Sequence, residues 1–539
     1  MRTHLPALGL LALWSLWFLA GPARVQAVPE RAPGFIEASR SAADWAARAV
    51  HGERGARARE AIDKAWTVER AQPPLPKLLM GLSARWLTRW LGPWGALCAP
   101  LFALGLAAAW LAWRLAERAA GREAGLVTLA LLLFAPGFSH SLHTPTPEAV
   151  IGFAWIFLVW AVVRGYESLG WRWGALAAAG VAMSSHAQGL GLTLGVWLAA
   201  WALLRDRDAP PPLEPGLVRG PRLPWHVLAL PLAGVLTLYA LWPVAWSDGR
   251  KAFEGLWLAP LKTPHPPFAF AGRLLDARTG DGPTAWMGLV DAAGRWTPAL
   301  LLGLLAGAWS ASRPGLGAGE PRRRALGTAL AVLGTSLAIG CLNGSTSYDG
   351  LRLDLALLPL AATLAGPGLV GLAHALAPRP GGPRPRLRRA LRWLPWLAVA
   401  SAAADTLSVV PYDRFYRSPL APAVWDGGPA GSTLDVQGVL LETWLSDLAE
   451  ARPEGVTLAL VPRDGELRRV LDLLKRQGRL PPGLEPAKPE GARCLGLAHL
   501  PETADADALA PLVGARREVI RYVWRGVPLF RVVCDKEEP

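Results

Sequence analysis

The chain has 539 residues, of which 52% are hydrophobic and only 18% are charged, and its mean hydropathy is +0.25. This composition excludes an ordinary water-soluble globular protein, because soluble domains carry about 25% charged residues. The 56 basic and 42 acidic residues leave a net charge of +14, but the basic residues are scattered over short segments without a stripe or binding motif. Nucleic acid is therefore not an expected partner. The surplus matches the arginine excess of cytoplasmic loops in membrane proteins, and attraction to anionic lipid phosphates is the alternative explanation.

Apolar runs that are long enough to cross a bilayer recur along the first three quarters of the chain. The first run follows Arg2 and His4 and is followed by VQA at 25–27, so a cleaved signal peptide is the alternative to an uncleaved first helix. We expect the uncleaved helix, because many spans follow it. Eleven membrane spans are predicted: 5–21, 92–113, 124–138, 149–163, 173–184, 189–204, 225–246, 296–311, 325–342, 353–376 and 393–410.

Arginines fall in alternate connecting loops, and the positive-inside rule places those loops in the cytoplasm. The arginines concerned are Arg114, Arg118 and Arg122, then Arg164 and Arg172, then Arg205, Arg207, Arg219 and Arg222, then Arg313 and Arg322 to Arg324, and finally Arg379 through Arg392. The remaining loops are then external: 22–90, 139–148, 247–295, 343–352 and everything after about residue 410. The first of these contains two amphipathic stretches, one at 35–50 and one beginning at Ser83, which we expect to lie along the membrane surface.

The tail, residues 411–539, has a different sequence pattern from the apolar spans before it. Residues 436–450 and 464–478 are predicted helices, GVTLALVP is typical of a buried strand, and the last apolar run alternates like a hairpin around Arg525-Gly526. The predicted fold is therefore a polytopic α-helical membrane protein, with a transmembrane domain at 1–410 and a small extracytoplasmic α/β domain at 411–539.

Cysteine usage adds a conditional prediction. Cys494 and Cys534 lie in the tail, and they can form a disulfide if the tail faces an oxidising compartment. Cys98 and Cys341 fall in or beside apolar spans and are expected to be inert. The chain has no CxxC motif or Cys/His spacing that would indicate zinc, and no metal or cofactor is predicted.

Four polar motifs fall in the predicted external loops: AQPPLPKLLMGL (71–82), SHSLHTPTPEAV (139–150), the segment 245–275, and STSYDGLRLDLALLPL (345–360). PPLPKLL is similar to the PPLxK motif of GT-C class integral-membrane glycosyltransferases, in the group that contains protein O-mannosyltransferases and the lipid A aminoarabinose transferase. AIDKAWTVERAQPPLPK resembles their W-x-x-x-x-E-H-P-P-L-x-K run, and SYDGLRLDLALLP resembles their D-G-x-R-x-x-L-x-x-x-P signature. The loop after span seven is also similar, so the resemblance covers roughly residues 1–415.

The resemblance implies a bacterial cytoplasmic-membrane enzyme of the GT-C fold whose active site faces the periplasm. Such enzymes transfer a sugar from a polyprenyl-phosphate-linked donor to a hydroxyl of a lipid, glycan or protein acceptor. The expected reaction is a direct displacement with inversion. No nucleotide-sugar site is expected, because the acidic candidates are few and scattered.

The leaving group of such a reaction is a lipid phosphate, which needs cations to offset its charge at low dielectric. Lys77, held by the stiff Pro73-Pro74 step, is the first candidate, and Arg352 and Arg273 are the next. The alternative for Lys77 is a lysine that extends its ammonium to the lipid head groups.

Three further residues accompany these cations as supporting candidates. They are His265, Tyr348 and Asp349. Asp349 with Arg352 could instead be a structural pair at a helix entrance, and His265 could simply belong to a proline-rich loop. His140 and His143 flank a turn and are predicted to be structural or surface residues.

The acceptor hydroxyl needs a carboxylate as general base. The resembled enzymes carry an Asp-Glu pair after the first span, which is absent from VPERAPGFIEASRSAAD. Glu30, Glu37 and Asp44 are the candidates in that region, and Glu148 stands near the start of span four, where the family pattern has Asp.

These departures, together with Ala71-Gln72 in place of the usual Glu-His, leave open two alternatives to a working transferase. One is a non-catalytic homologue that binds lipid-linked sugar. The other is a transporter, which is disfavoured because the sequence shows no related halves.

Overall fold

The structure is a computed structural model of the full chain, and helices make up most of its described part. It describes the following residues: 4–20, 32–68, 72–186, 188–204, 224–254, 256, 268–270, 273–275, 293–312, 320–342, 352–378, 385–408, 416, 418, 445–461, 471–476, 480–487, 491–498, 516–524 and 527–535.

The helices of the first half follow one another with short connections. They are α1 (Leu5–Ala20), α2 (Ala32–Val50), α3 (Arg59–Ala65), α4 (Pro74–Leu133), α5 (Phe138–His143), α6 (Glu148–Gly165), α7 (Leu169–Ser185) and α8 (Gly189–Leu204). The second group is α9 (Trp225–Leu228), α10 (Leu230–Leu241), α11 (Pro243–Ser247), α12 (Gly249–Phe253), α13 (Pro298–Ser312), α14 (Glu320–Leu342), α15 (Arg352–Leu376), α16 (Pro385–Leu391) and α17 (Leu394–Leu407).

Helix α4 is three consecutive helices rather than one rod. Gly92 has φ 70°, and Gly121 has φ 87°, in the left-handed region that glycine reaches without steric cost. The breaks divide α4 into α4a (74–91), α4b (93–119) and α4c (122–133). At the first break the chain folds back, so that the Ser83 hydroxyl of α4a donates a hydrogen bond to the Ala96 carbonyl of α4b at 2.6 Å.

Helix positions match the predicted spans, with three local corrections. The predicted span 124–138 is too long, because α4c ends at Leu133 and a separate short helix α5 occupies the loop predicted at 139–148. The predicted span 225–246 is interrupted at Trp242, because the residue before Pro243 is disfavoured in the α conformation. The amphipathic helix predicted to begin at Ser83 begins at Pro74, the first helical position, where proline is well tolerated.

Three helical stretches of the described part, the first of them the broken α4, are long and apolar enough to cross a membrane by length and composition. These are Pro74–Leu133, Glu148–Gly165 and Leu355–Leu376, and shorter apolar helices lie at Leu5–Ala20, Gly189–Ala200, Leu230–Leu241, Pro298–Ser312 and Arg324–Ile339. Large aliphatic side chains are exposed on Leu5–Ala20, Gly189–Ala200, Leu230–Leu241 and Pro298–Ser312, as on lipid-facing surfaces.

Helix α15 forms the centre of the bundle and packs against α4, α6 and α13. Small residues permit close contact there: a methyl group added to Gly307 of α13 would lie 2.1 Å from the Leu364 carbonyl oxygen of α15. On the other side, a methyl group on Gly366 would lie 2.0 Å from the Thr128 hydroxyl of α4c. These helices are therefore in backbone contact, which is a common way to pack helices in a bilayer.

The arginine-rich connections meet at one end of this bundle. The Arg118 guanidinium at the end of α4b contacts the Glu167 carboxylate after α6. Arg172 donates from Nε to the Gly165 carbonyl at 3.2 Å, and the Arg324 guanidinium at the start of α14 lies 4.7 Å from the Tyr166 ring centroid. Loops that the charge pattern groups together thus lie side by side in the described residues.

The tail contains a mixed five-stranded sheet with the strand order β4-β3-β5-β7-β6. Two short strands, β1 (Phe268–Phe270) and β2 (Arg273–Leu275), precede it in sequence and form an antiparallel pair of their own. The tail strands are β3 (Val456–Val461), β4 (Leu484–Pro486), β5 (Cys494–Ala498), β6 (Arg516–Trp524) and β7 (Val527–Asp535). Cys494 and Cys534 occupy registered positions on β5 and β7 and are joined by a disulfide.

Candidate active site

Helices α2 and α3 of the predicted external loop form a cap on α4a. A methyl group added to Gly81 of α4a would lie 1.9 Å from the Ser39 carbonyl oxygen of α2, so the two helices touch through their backbones. The Trp45 indole of α2 donates to the Ala56 carbonyl at 2.8 Å, and its ring meets the Trp66 ring edge-on at 5.9 Å. The cap therefore has a tryptophan core that lies directly against the first turn of α4a.

Lys77 lies in that first turn and is fully buried. Its Nζ atom is 5.5 Å from the centroid of the Trp66 ring. A cation at a helix N-terminus is disfavoured by the helix dipole, and burial removes its hydration. Pro74 and Pro76 in the same turn have no N–H, and the Lys77 ammonium adds hydrogen-bond donors to this turn. The arrangement is suited to holding an anion.

The turn around α5 packs against the start of α4b. The His143 carbonyl oxygen accepts hydrogen bonds from Trp94 Nε1 at 3.0 Å and from Cys98 Sγ at 3.1 Å. His143 Nδ1 lies 2.9 Å from the Ser139 carbonyl oxygen, and its ring meets the His140 ring edge-on at 5.4 Å. Both histidines are buried, which favours the structural alternative over a surface position, and their described contacts hold the turn in place.

Glu148 is the first residue of α6 and is 3% exposed. It follows Pro147 at the N-cap, and a carboxylate in the first turn is favoured by the helix dipole. Thr144 and Thr146 lie in the connection from α5 to α6, a few residues before Glu148, and both are buried. A buried ionisable group in such a polar turn is a functional-site candidate.

The N-terminal turns of α15 reach the same end of the bundle. A methyl group on Gly137, the N-cap of α5, would lie 2.4 Å from Leu355 Cδ2, and one on Gly152 of α6 would lie 3.3 Å from the Ala356 carbonyl oxygen. Residues 345–351 lie outside the described residues, but the helix that follows them begins at Arg352 beside α5 and α6.

The segment after α10 also joins this end. Asp248 accepts a hydrogen bond from Arg59 of α3 at 3.4 Å, and the Trp246 ring lies 5.9 Å from the Trp45 ring. Parts of all four polar motifs, from distant regions of the chain, are therefore gathered at the end of the bundle opposite the arginine-rich connections.

The predicted site residues differ in burial. Lys77 and Glu148 are buried at this end, whereas Glu37 is exposed on α2. Asp44 is also exposed and forms an ion pair with Arg85 at 3.0 Å. Pro73 is the N-cap of α4, and Pro74 is its first residue.

The structure does not describe the side chains of the remaining candidate residues. Glu30, His265, Tyr348 and Asp349 lie outside the described residues. Arg352 and Arg273 are described only as the first residue of α15 and as a β2 position opposite Phe270, and their side chains lie outside the description. Trp66 was not among the predicted site residues, although it is the tryptophan of the run AIDKAWTVER. In the part of the chain that the structure describes, no group of three His, Cys, Asp or Glu residues could hold a metal ion.

Part of the chain matches a known protein-family model. Residues 71–209 match the family model described as dolichyl-phosphate-mannose-protein mannosyltransferase. The chain resembles GT-C glycosyltransferases. The matched GT-C segment contains the whole of α4a, the α5 turn and the start of α6, and therefore both Lys77 and Glu148.

Solved structures of a GT-C protein are similar over nearly the whole chain. ArnT from Cupriavidus metallidurans bound to undecaprenyl phosphate is 14% identical, with a TM-score of 0.48, and the similarity covers 99% of this chain and 98% of that chain. ArnT from the same organism in the apo state is 14% identical, with a TM-score of 0.46 and 98% of each chain covered. No curated protein matches the sequence significantly.

Proposed function

We propose that the protein transfers a sugar from a polyprenyl-phosphate-linked donor to a hydroxyl of a lipid, glycan or protein acceptor. The observation that carries this proposal is the buried ammonium of Lys77 in the proline-rich first turn of α4, within the segment that matches the mannosyltransferase model. The description of that model includes dolichyl phosphate, a polyprenyl phosphate, as the carrier of the sugar. A buried cation provides what the departing lipid phosphate requires.

The reaction proceeds by attack of the acceptor oxygen on the anomeric carbon of the sugar. The bond between that carbon and the phosphate oxygen breaks, and its electron pair leaves with the lipid phosphate. Lys77 offsets the growing charge on the phosphate, with Arg352 and Arg273 as additional cations. Glu148 accepts the proton of the acceptor hydroxyl, because it is the buried carboxylate, whereas Glu37 is exposed and Asp44 forms an ion pair with Arg85.

The site faces the extracytoplasmic side in this proposal. The Cys494–Cys534 disulfide supports an oxidising compartment for the tail. The arginine-rich connections, which the positive-inside rule assigns to the cytoplasm, lie at the end of the bundle away from Lys77. We therefore assign the protein to the bacterial cytoplasmic membrane, with the 411–539 region in the periplasm.

Lipid-phosphate release tests this function. Purified full-length protein in liposomes is incubated with radiolabelled polyprenyl-phosphate mannose or polyprenyl-phosphate aminoarabinose and an extract of envelope acceptors, and released polyprenyl phosphate is measured. Lys77→Ala should lower release by about 10²–10³-fold, the usual cost of losing one donor to transition-state charge. Lys64→Ala is the matched control, because Lys64 is an exposed lysine of α3.

Two results count against the proposal. Equal release by wild type and Lys77→Ala removes Lys77 from the mechanism. Tight binding of both donors by wild type without any release supports instead the non-catalytic binding protein.

A further inference from the structure

A small cavity lies at the end of the bundle opposite the candidate active site. It has a volume of about 200 Å³ and is lined by Glu123, Val370, Ala373, His374, Arg392 and Pro395. Glu123 stands at the start of α4c, His374 is in the last turn of α15, and Arg392 lies between α16 and α17. Three separate parts of the chain thus contribute one ionisable side chain each.

The three ionisable side chains are not used by the fold. In the described residues Glu123, His374 and Arg392 form no ion pair or hydrogen bond with one another or with other side chains. An acidic and a basic group that share a cavity without pairing provide two separate places for charge. A ligand with an anionic and a cationic group is therefore favoured over a purely anionic one.

The size of the cavity restricts the ligand further. A volume of 200 Å³ is room for roughly seven water molecules at about 30 Å³ each. It is smaller than the roughly 300 Å³ at which pockets for drug-sized ligands begin. The cavity is open to the surface and its ionisable side chains are exposed, so the part of a ligand that fits within it is a head group of a few atoms.

The surroundings resemble the head-group level of a bilayer. Trp393, next to Arg392, is 63% exposed, and tryptophan is enriched at membrane interfaces. Leu376 and Leu397 are also exposed near the cavity and offer apolar surface to acyl chains. Helix α16 contributes exposed Arg386 and Arg389, as expected of a cationic segment at a lipid surface.

We propose that this cavity binds the head group of an aminophospholipid, a phosphodiester that carries a primary ammonium. The phosphodiester contacts the Arg392 guanidinium and the His374 imidazole, and the ammonium donates hydrogen bonds to the Glu123 carboxylate. A trimethylated ammonium has no N–H to donate, so the site discriminates phosphatidylethanolamine from phosphatidylcholine. This inference does not rest on the proposed transferase activity.

Native mass spectrometry of the full-length protein tests the site. Protein stripped of lipid in detergent is titrated separately with phosphatidylethanolamine, phosphatidylcholine and phosphatidylglycerol of identical acyl chains, and the affinity of the first bound lipid is measured. Wild type should bind phosphatidylethanolamine about three- to fivefold more tightly than the other two, in line with the energy of partly exposed charge pairs. Glu123→Gln should abolish the difference between phosphatidylethanolamine and phosphatidylcholine, and Arg392→Gln should weaken all three lipids.

Matched controls remove the same charges elsewhere. Arg389→Gln removes an exposed arginine of α16 that does not line the cavity, and Glu450→Gln removes an exposed glutamate in the tail. Both should leave the lipid preference unchanged. Equal binding of the three lipids to wild type would overturn the proposal, as would equal effects of Arg389→Gln and Arg392→Gln. Because no turnover is measured, neither result depends on whether the protein is a transferase.

Discussion

The Nζ atom of Lys77 lies 5.5 Å from the ring centroid of Trp66, and both side chains are buried. Lys77 belongs to the first turn of α4 and Trp66 is the C-cap of α3, so the contact joins the α2–α3 cap to the bundle. The indole face stabilises the ammonium where the helix dipole disfavours it.

Replacement of Trp66 should therefore lower kcat/KM for the lipid-linked sugar donor without abolishing the reaction. Trp66→Leu removes a cation–π contact of about 0.5–2 kcal/mol, which corresponds to roughly a two- to thirtyfold loss in kcat/KM for the donor. Trp66→Phe keeps an aromatic face and should lose less. The measurement is donor-dependent release of polyprenyl phosphate; a larger loss for Phe than for Leu would contradict the role of the ring.

The buried carboxylate should matter more than the exposed ones. Glu148→Gln removes the proposed base and should lower kcat by about 10²–10⁴-fold. Glu37→Gln and Asp44→Asn should remain within about threefold of wild type, because exposed and surface-paired groups contribute little. Each variant is compared for kcat in the release assay at equal folded amounts. Loss of activity in Asp44→Asn with an active Glu148→Gln would reverse the assignment.

The backbone contact between α2 and α4a should make Gly81 intolerant of a side chain. A methyl group there meets the Ser39 carbonyl oxygen at 1.9 Å, so Gly81→Ala forces α2 away from α4a and should cost about 1–3 kcal/mol. Gly327→Ala is the control, since no atom lies within 4 Å of that position and alanine favours the helix by about 0.5–1 kcal/mol. Thermal unfolding of the purified protein in detergent gives the order: Gly81→Ala lowest, Gly327→Ala at or above wild type. Equal transition temperatures would show that α2 does not pack as described.

The disulfide makes it possible to test whether the tail lies in an oxidising compartment. Cys494 and Cys534 are bonded, so two of the four cysteines should resist labelling when membranes are denatured without reductant. Polyethylene-glycol maleimide should add two further labels after reduction. A Cys494→Ser Cys534→Ser double variant should show the same labelling before and after reduction. Four labels on unreduced wild-type protein would place the tail in a reducing compartment.

Much of the helical organisation could be predicted from the sequence. The starts of α6 at Glu148 and α8 at Gly189 lie within a residue of the predicted spans, because long apolar runs and flanking prolines are local signals. The errors at α5 and at Trp242 also have a local origin, since a hydropathy pattern does not report a short helical turn or the restriction before a proline. The hairpin of β6 and β7 was visible in the alternation of residues before and after Arg525-Gly526.

The candidate site could be predicted only in part. PPLPKLL indicated Lys77, but the sequence offered four candidate carboxylates, Glu30, Glu37, Asp44 and Glu148, with Glu37 closest to the position that the resemblance implies. Burial separates Glu148 from Glu37 and Asp44, while Glu30 lies outside the described residues. Which acidic side chain loses its hydration depends on the helices that cover it, and those come from other parts of the chain.

The sequence alone determined that this chain enters a bilayer and which polar motifs lie outside the apolar runs. Hydropathy and proline placement are local signals, since each affects the conformation of only a few neighbouring residues. The tertiary structure decided that Trp66 lies over Lys77, that Ser39 meets Gly81, and that Glu123, His374 and Arg392 share one cavity. Those relationships join residues far apart in the chain, and they exist only once helix packing has removed water from between them.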